Sequence, residues 1–138
     1  GITTSHGRRE EALLAAMKRE RFDFVQFSYS FADRDAERRL LPAARDRGAA
    51  VLVNRPFDGG SLFGAVKGKP LPGWAAQIDC ANWAQVFLKF VISHPAVTCA
   101  IPATSNPAHM RENMGALSGP LPDEALRRRM AADVAKFL

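Results

Sequence analysis

The sequence predicts an α/β protein with about four short parallel strands flanked by helices. Three observations predict it. Amphipathic helical stretches alternate with short apolar or aromatic stretches along the chain. Ala50-Val51-Leu52-Val53 is a nearly continuous apolar run, the mark of a strand covered on both faces as in parallel sheets. A strand stub at Gly1-Ile2-Thr3 completes the set that half of a (β/α)8 barrel would need. A doubly wound sheet shows the same alternation, and periodicity alone does not separate the two.

The elements follow in order. Residues ~8–20, Arg8 to Glu20, form an amphipathic helix, with Leu13, Leu14 and Met17 on its apolar face. Residues ~22–28, Phe22 to Ser28, are aromatic and β-branched and make a strand. A helix spans ~35–47, with Asp33 or Asp35 as start signal and Gly48 as stop; Pro42 inside it imposes a kink or a break. The Ala50–Val53 strand comes next. Residues 54–79 contain Gly59-Gly60, Pro70, Pro72 and Gly73, so long regular structure is excluded there. A loop of this length in a compact domain is functional or mobile.

A helix over ~81–93 places Trp83, Phe87, Phe90 and Val91 at helical spacing, which makes them core residues, and Pro95 ends it. Val97–Ile101 is a further buried strand. Asn106 and Pro107 open the next helix as N-cap and first residue. The last helix, ~122–137, follows the Pro120-Leu121-Pro122 break. The 138 residues read as one partial domain, with 54–79 as its long loop.

Composition excludes several classes. Hydrophobic residues make up 47% and charged residues 24%, the range of globular proteins. No apolar run is long enough to span a bilayer and no signal peptide is visible, so a cytoplasmic protein is expected. The chain starts at Gly1 rather than Met, which limits any reading of targeting. The net charge of +5 is spread over helical faces where Arg neighbours Asp and Glu, with no basic stripe of interleaved aromatics, so nucleic acid is not an expected partner. Cys80 and Cys99 sit in apolar surroundings and read as buried free thiols. His6, His94 and His109 are scattered, and no metal site is expected.

Four segments, read in order, resemble those of aldo-keto reductases of the bacterial type. They are Gly1-Ile2-Thr3-Thr4-Ser5, Asp23-Phe24-Val25-Gln26-Phe27-Ser28-Tyr29, Asn54-Arg55-Pro56-Phe57-Asp58-Gly59-Gly60-Ser61-Leu62, and a long stretch from Trp83-Ala84-Gln85 through Ile101-Pro102-Ala103-Thr104-Ser105-Asn106 to Glu112-Asn113. Each alone is weak; their order and spacing are specific. The resemblance implies the C-terminal half of a (β/α)8 barrel, with ligands bound by loops at the C-terminal strand ends. It also implies NADPH as cofactor and a small carbonyl compound as substrate of the complete enzyme.

Residue roles carry over by position. Thr3 and Thr4 match the pair that holds the nicotinamide carboxamide, where the family often has Ser-Asn. Gln26 matches the glutamine that completes that contact, its amide offering donor and acceptor. Asn54 stands where many members place a tyrosine that stacks on the nicotinamide. The Asp58–Leu62 loop, with Gly59, Gly60 and Leu62, matches the segment that folds over the pyrophosphate, where glycines let backbone N–H groups approach phosphate. Arg55, Pro56 and Phe57 before it also count among the expected cofactor contacts, Phe57 near the position of the stacking tyrosine. Ala103, Thr104 and Ser105 lead into a helix whose free N–H groups favour the 2′-phosphate. His109 stands where a basic residue is common, and Glu112 and Asn113 match adenine contacts. For Gln26 the plain alternative is a polar residue at a strand end, for Glu112 and Asn113 a solvated helix face, and Gly-Gly alone is ordinary turn chemistry.

The family's catalytic Asp, Tyr, Lys and His come from the first four strands, and no segment here matches them. Tyr29 is the single tyrosine and belongs to the strand segment at 23–29. The expectation is a piece of an NADPH-dependent carbonyl reductase, inactive alone. Its open sheet would be covered by an N-terminal half barrel or by a second copy, since each strand would leave two or three apolar side chains uncovered. A non-catalytic nucleotide-binding or interaction subunit is the alternative.

Overall fold

The computed structural model describes residues 1–4 and 9–138. The readings placed on Ser5, His6 and Arg8 lie outside the described residues. Four parallel strands form one sheet in the order β1 (Ile2–Thr3), β2 (Phe24–Ser28), β3 (Ala50–Asn54), β4 (Cys99–Ala100). Spatial order follows chain order without the reversal of a doubly wound sheet. That is the pattern of a barrel segment, and it settles the ambiguity that periodicity left.

The helices cover one face only. Val25, Phe27, Val51 and Val53 are at most 1% exposed and point into the helical layer. Their strand neighbours point the other way, and Phe24 is 51% exposed. This open face carries Thr3, Phe24, Gln26, Leu52 and Asn54, in a register that pairs Thr3 with Gln26, Gln26 with Leu52 and Ser28 with Asn54. It is more polar than expected, with Phe24 and Leu52 the main apolar side chains on β2 and β3.

Helix α1 (Glu10–Arg19) buries Leu13, Leu14 and Met17, with acids in its first turn and bases in its last, which complements the helix dipole. The helix expected over 35–47 is split into a 3₁₀ turn at Asp35–Glu37 and α2 (Leu40–Asp46). Pro42 is the cause. In a continuous helix its ring would clash with the Arg38 carbonyl, whereas in the first turn of α2 its missing N–H is not needed.

Residues 54–79 are less irregular than expected. They hold 3₁₀ turns at Asp58–Gly60 and Gly73–Ile78 and a short helix, α3 (Ser61–Ala65). Leu62, Val66, Trp74 and Ile78 anchor this segment in the core. The strand expected over 97–101 shortens to the two-residue β4, because it is a sheet edge with β3 alone to pair with. Cys99 is exposed, which corrects its reading as a buried thiol; Cys80 is buried, and that burial pushes its thiol up to about 11.

Helices α4 (Trp83–Ile92), α5 (Pro107–Met114) and α6 (Glu124–Val134) complete the layer. Asn82, Asn106 and Asp123 cap them, each side chain accepting from a backbone N–H of the first turn. Arg127 of α6 is the buried tie of the layer. It donates to the Phe90 carbonyl, to Ser93 Oγ (2.6 Å) and to the Tyr29 hydroxyl (2.7 Å).

Candidate functional site

All four strands are parallel, so their C-terminal ends, and the loops that follow, lie at one end of the sheet. The expected site residues fall into three places there. Thr3 and Gln26 sit on the open face beside Phe24 and Leu52, in a shallow hollow of about 240 Å³. Asn54 sits at the end of β3, where its amide ties three strand ends. Its Oδ1 accepts from Ser28 Oγ at 2.8 Å, and its Nδ2 donates to the Thr4 carbonyl at 3.3 Å.

The third place is a cleft of about 580 Å³ beyond the strand ends, lined by aromatics on one side and polar groups on the other. Phe57, Phe63 and Trp83 form the apolar wall. Their rings lie 6.5, 5.7 and 5.7 Å from the buried Phe87 ring, which seats all three. Thr104, His109, Glu112 and Asn113 form the polar wall, with Ala103 at its edge. Residues about fifty apart in sequence therefore meet in one cavity. Phe63 and Trp83 were not expected there. Trp83 reads as a core aromatic because it shares the helical stripe of Phe87, yet it is the first residue of α4 and so stands at the helix end facing the cleft.

The connection from the open face to the cleft is the strained turn after β3. Arg55 and Asp58 have φ of 52° and 50°, and Gly59 and Gly60 have 66° and 100°. Positive φ at non-glycine residues is costly and is held here by specific contacts. Arg55 Nη2 lies 3.6 Å from Asp58 Oδ1, and Asp58 Oδ2 accepts from Ser61 Oγ at 2.6 Å. A Cβ on Gly59 would sit 2.9 Å from Arg55 Nη2, so the guanidinium packs against the glycine. Pro56 and Leu62 are buried and hold the turn from beneath.

At α5, Asn106 Oδ1 takes the Ala108 N–H (2.9 Å) and Thr104 Oγ1 accepts from the Asn106 N–H (3.1 Å). Thr104 keeps its hydroxyl hydrogen for another acceptor, and Ser105 is exposed beside it.

Tyr29 stands outside all three places. It is fully buried, its hydroxyl donates to Glu37 Oε1 at 2.5 Å, and it accepts from Arg127. Burial above all holds its pKa well above the ordinary phenol value. Among the described residues no group of His, Cys, Asp and Glu could hold a metal ion, and no helix is long and apolar enough to cross a membrane.

Comparison with known proteins places the fold. The chain is similar to the aldo-keto reductase AKR11C1 from Bacillus halodurans in its holo form, with a TM-score of 0.71 and 20% identity, over 100% of this chain and 50% of that one. The apo form of the same enzyme matches with a TM-score of 0.68 and 19% identity, over 97% of this chain and 50% of that one. The thermostable aldo-keto reductase Tm1743, in complex with the inhibitor epalrestat, matches with a TM-score of 0.69 and 22% identity, over 96% of this chain and 47% of that one. The chain thus spans about half the length of the solved structures it matches. No curated protein matches the sequence. The sequence pattern of the aldo/keto reductase family matches residues 2–133, and the chain belongs to that family.

Proposed function

We propose that this chain is the cofactor-holding half of an NADPH-dependent carbonyl reductase. The observation that carries the proposal is the cleft in which the loop after β3 and the start of α5 converge. Its aromatic wall suits a flat base, and its polar wall includes the Thr104 hydroxyl close to a helix N-terminus, where an anion is favoured. In this reading Glu112 and Asn113 meet the adenine, and Ala103, Thr104, Ser105 and His109 surround the 2′-phosphate. The turn Arg55–Gly60, leading to Leu62, runs along the pyrophosphate. Thr3, Thr4 and Gln26 meet the carboxamide, beside Asn54. NADPH, when bound, supplies a hydride for a carbonyl carbon.

The donor set fits that group, with a departure at Asn54 besides the Thr3-Thr4 pair. The Asn54 amide already ties Ser28 to Thr4 and offers no aromatic face for stacking. The proton that a reduced carbonyl oxygen needs does not come from Tyr29, whose hydroxyl is enclosed by Glu37 and Arg127. In this reading the proton donor and the cover of the open face come with the remaining half of a barrel, and the substrate is a small carbonyl compound.

Calorimetric titration with NADPH and NADH tests the reading. Tighter binding of NADPH, with no aldehyde reduction by this chain alone, is the expected result. Equal affinity for the two would remove the 2′-phosphate assignment, and turnover that survives repurification would overturn the half-site reading. A nucleotide-binding subunit without catalysis is favoured instead if NADPH binds and an added N-terminal half barrel restores no reduction.

A further inference from the structure

Gln85 lies outside the ligand-facing surface of the cleft, yet its side chain joins the cleft's two walls. It is 8% exposed, on the first turn of α4. Its Oε1 accepts from the Ala81 N–H at 2.8 Å, next to Asn82 and Trp83 of one wall. Its Nε2 donates to the backbone carbonyl of Glu112 at 3.0 Å, in the opposite wall. The same residue's N–H is capped by Asn82 Oδ1 at 3.0 Å. One amide thus bridges the start of α4 to the last turn of α5, with a donor for one side and an acceptor for the other. A primary amide carries both groups on one rigid plane.

Gly115 makes room for this bridge. Its φ of −59° is ordinary helical backbone, so no conformational demand requires glycine there. The demand is spatial: a Cβ at 115 would fall 2.3 Å from Gln85 Nε2 and 3.2 Å from its Cδ. The glycine lets the amide plane lie against the end of α5.

We infer that Gln85 is a positioning residue for the nucleotide cleft: with Gly115 it sets the separation of the Asn82–Ala84 wall from the Glu112–Asn113 wall. This rests on the reading of the cleft as the adenine end of a nucleotide site. The Thr104–Asn106 segment opens α5 at its other end and owes its geometry to the Asn106 cap. Loss of the bridge therefore weakens grip on the base without altering discrimination at the 2′-phosphate.

The test uses Gln85→Glu, Gly115→Ala and the double variant of the full chain, titrated with NADPH and NADH. The carboxylate of the first variant keeps an acceptor for the Ala81 N–H and loses the donor for the Glu112 carbonyl. Each single variant is expected to bind both nucleotides about fivefold to tenfold more weakly, at unchanged stoichiometry and with an unchanged ratio between them. The double variant is expected to be no worse than the weaker single, because both changes break one bridge. A variant that merely unfolds would lower the stoichiometry instead. Backbone amide shifts of Glu112 and Asn113 by NMR give a readout that needs no nucleotide. If the unaltered chain binds neither cofactor, the nucleotide reading falls, while shifts at both residues in both variants still support the bridge. Wild-type affinity with unmoved amide shifts in both variants overturns the inference.

Discussion

Arg127 Nη2 donates to the Tyr29 hydroxyl at 2.7 Å, joining the last helix to the end of β2 across 98 positions of sequence. The guanidinium also lies over the Phe90 ring at 4.4 Å from its centroid and pairs with Glu37 at 3.4 Å. One buried cation thus holds α6, α4 and the turn after β2 together.

Removing one partner of such a group leaves the others buried without their bonds. Arg127→Met is expected to cost about 3 kcal/mol of stability, and Tyr29→Phe about 1 kcal/mol. Chemical denaturation of both variants and of the double variant measures this. Strict additivity of the two would show that they do not belong to one network.

His94 makes stability depend on pH in the neutral to acid range. Burial, and then the Arg127 charge, hold its pKa below the ordinary 6.5. Its Nδ1 accepts from the Ala96 N–H at 3.2 Å, which only the neutral ring can do. Above 6.5 both folded and unfolded chains carry neutral His94, and its contribution is fully present. As pH falls, the unfolded chain takes up the proton first, and stability is lost through the lowered folded value. The melting temperature is expected to drop between about pH 7 and 5. His94→Asn, which keeps an acceptor and does not titrate, is expected to flatten that drop; an unchanged profile would assign it to other groups.

Lys89 is 0% exposed, and its ammonium donates to the carbonyls of Ile78 (2.6 Å), Ser118 (2.5 Å) and Pro120 (3.0 Å). Three acceptors converge on a point charge with three hydrogens. Lys89→Met strands those carbonyls in the interior and is expected to cost about 3 kcal/mol or more. Lys89→Arg is expected to rescue little, since a planar fork cannot meet three converging carbonyls. Thermal melts of the two variants decide it, and a stable Met variant would show that water satisfies the carbonyls.

The open sheet face is expected to associate with a partner. Phe24 lies there 51% exposed beside the half-buried Leu52, and the outer edges of β1 and β4 have no strand beside them among the described residues. The isolated chain is expected to self-associate at micromolar concentration in sedimentation. Phe24→Ser and Leu52→Ser together are expected to weaken that association. A non-aggregating monomer with a sharp thermal transition would show that the face is stable in water, as its polar Thr3, Gln26 and Asn54 would favour.

The alternation of helices and strands, the capping at Asn106, the break at Pro42 and the family were all legible in the residues alone. These are local signals: an N-cap, a missing N–H and an apolar run act within a few residues, and the family segments are short. The same reading grouped Phe57 with the 103–113 stretch, and residues of both line one cleft. Adjacency was not legible, and folding in three dimensions settled it. Sheet order separated a barrel segment from a doubly wound sheet, because the two share one periodicity and differ in how crossovers stack. Trp83 packs against the core as expected and also lines the cleft, because a helix end has both a buried face and an exposed tip. The polar inner face, the shortening of β4 and the exposure of Cys99 depend on what lies across the sheet. The Gln85 bridge depends on a backbone carbonyl 27 positions away and on a glycine that leaves it room. Spacing along a chain carries no record of such distances, because the packing of separate helices sets them.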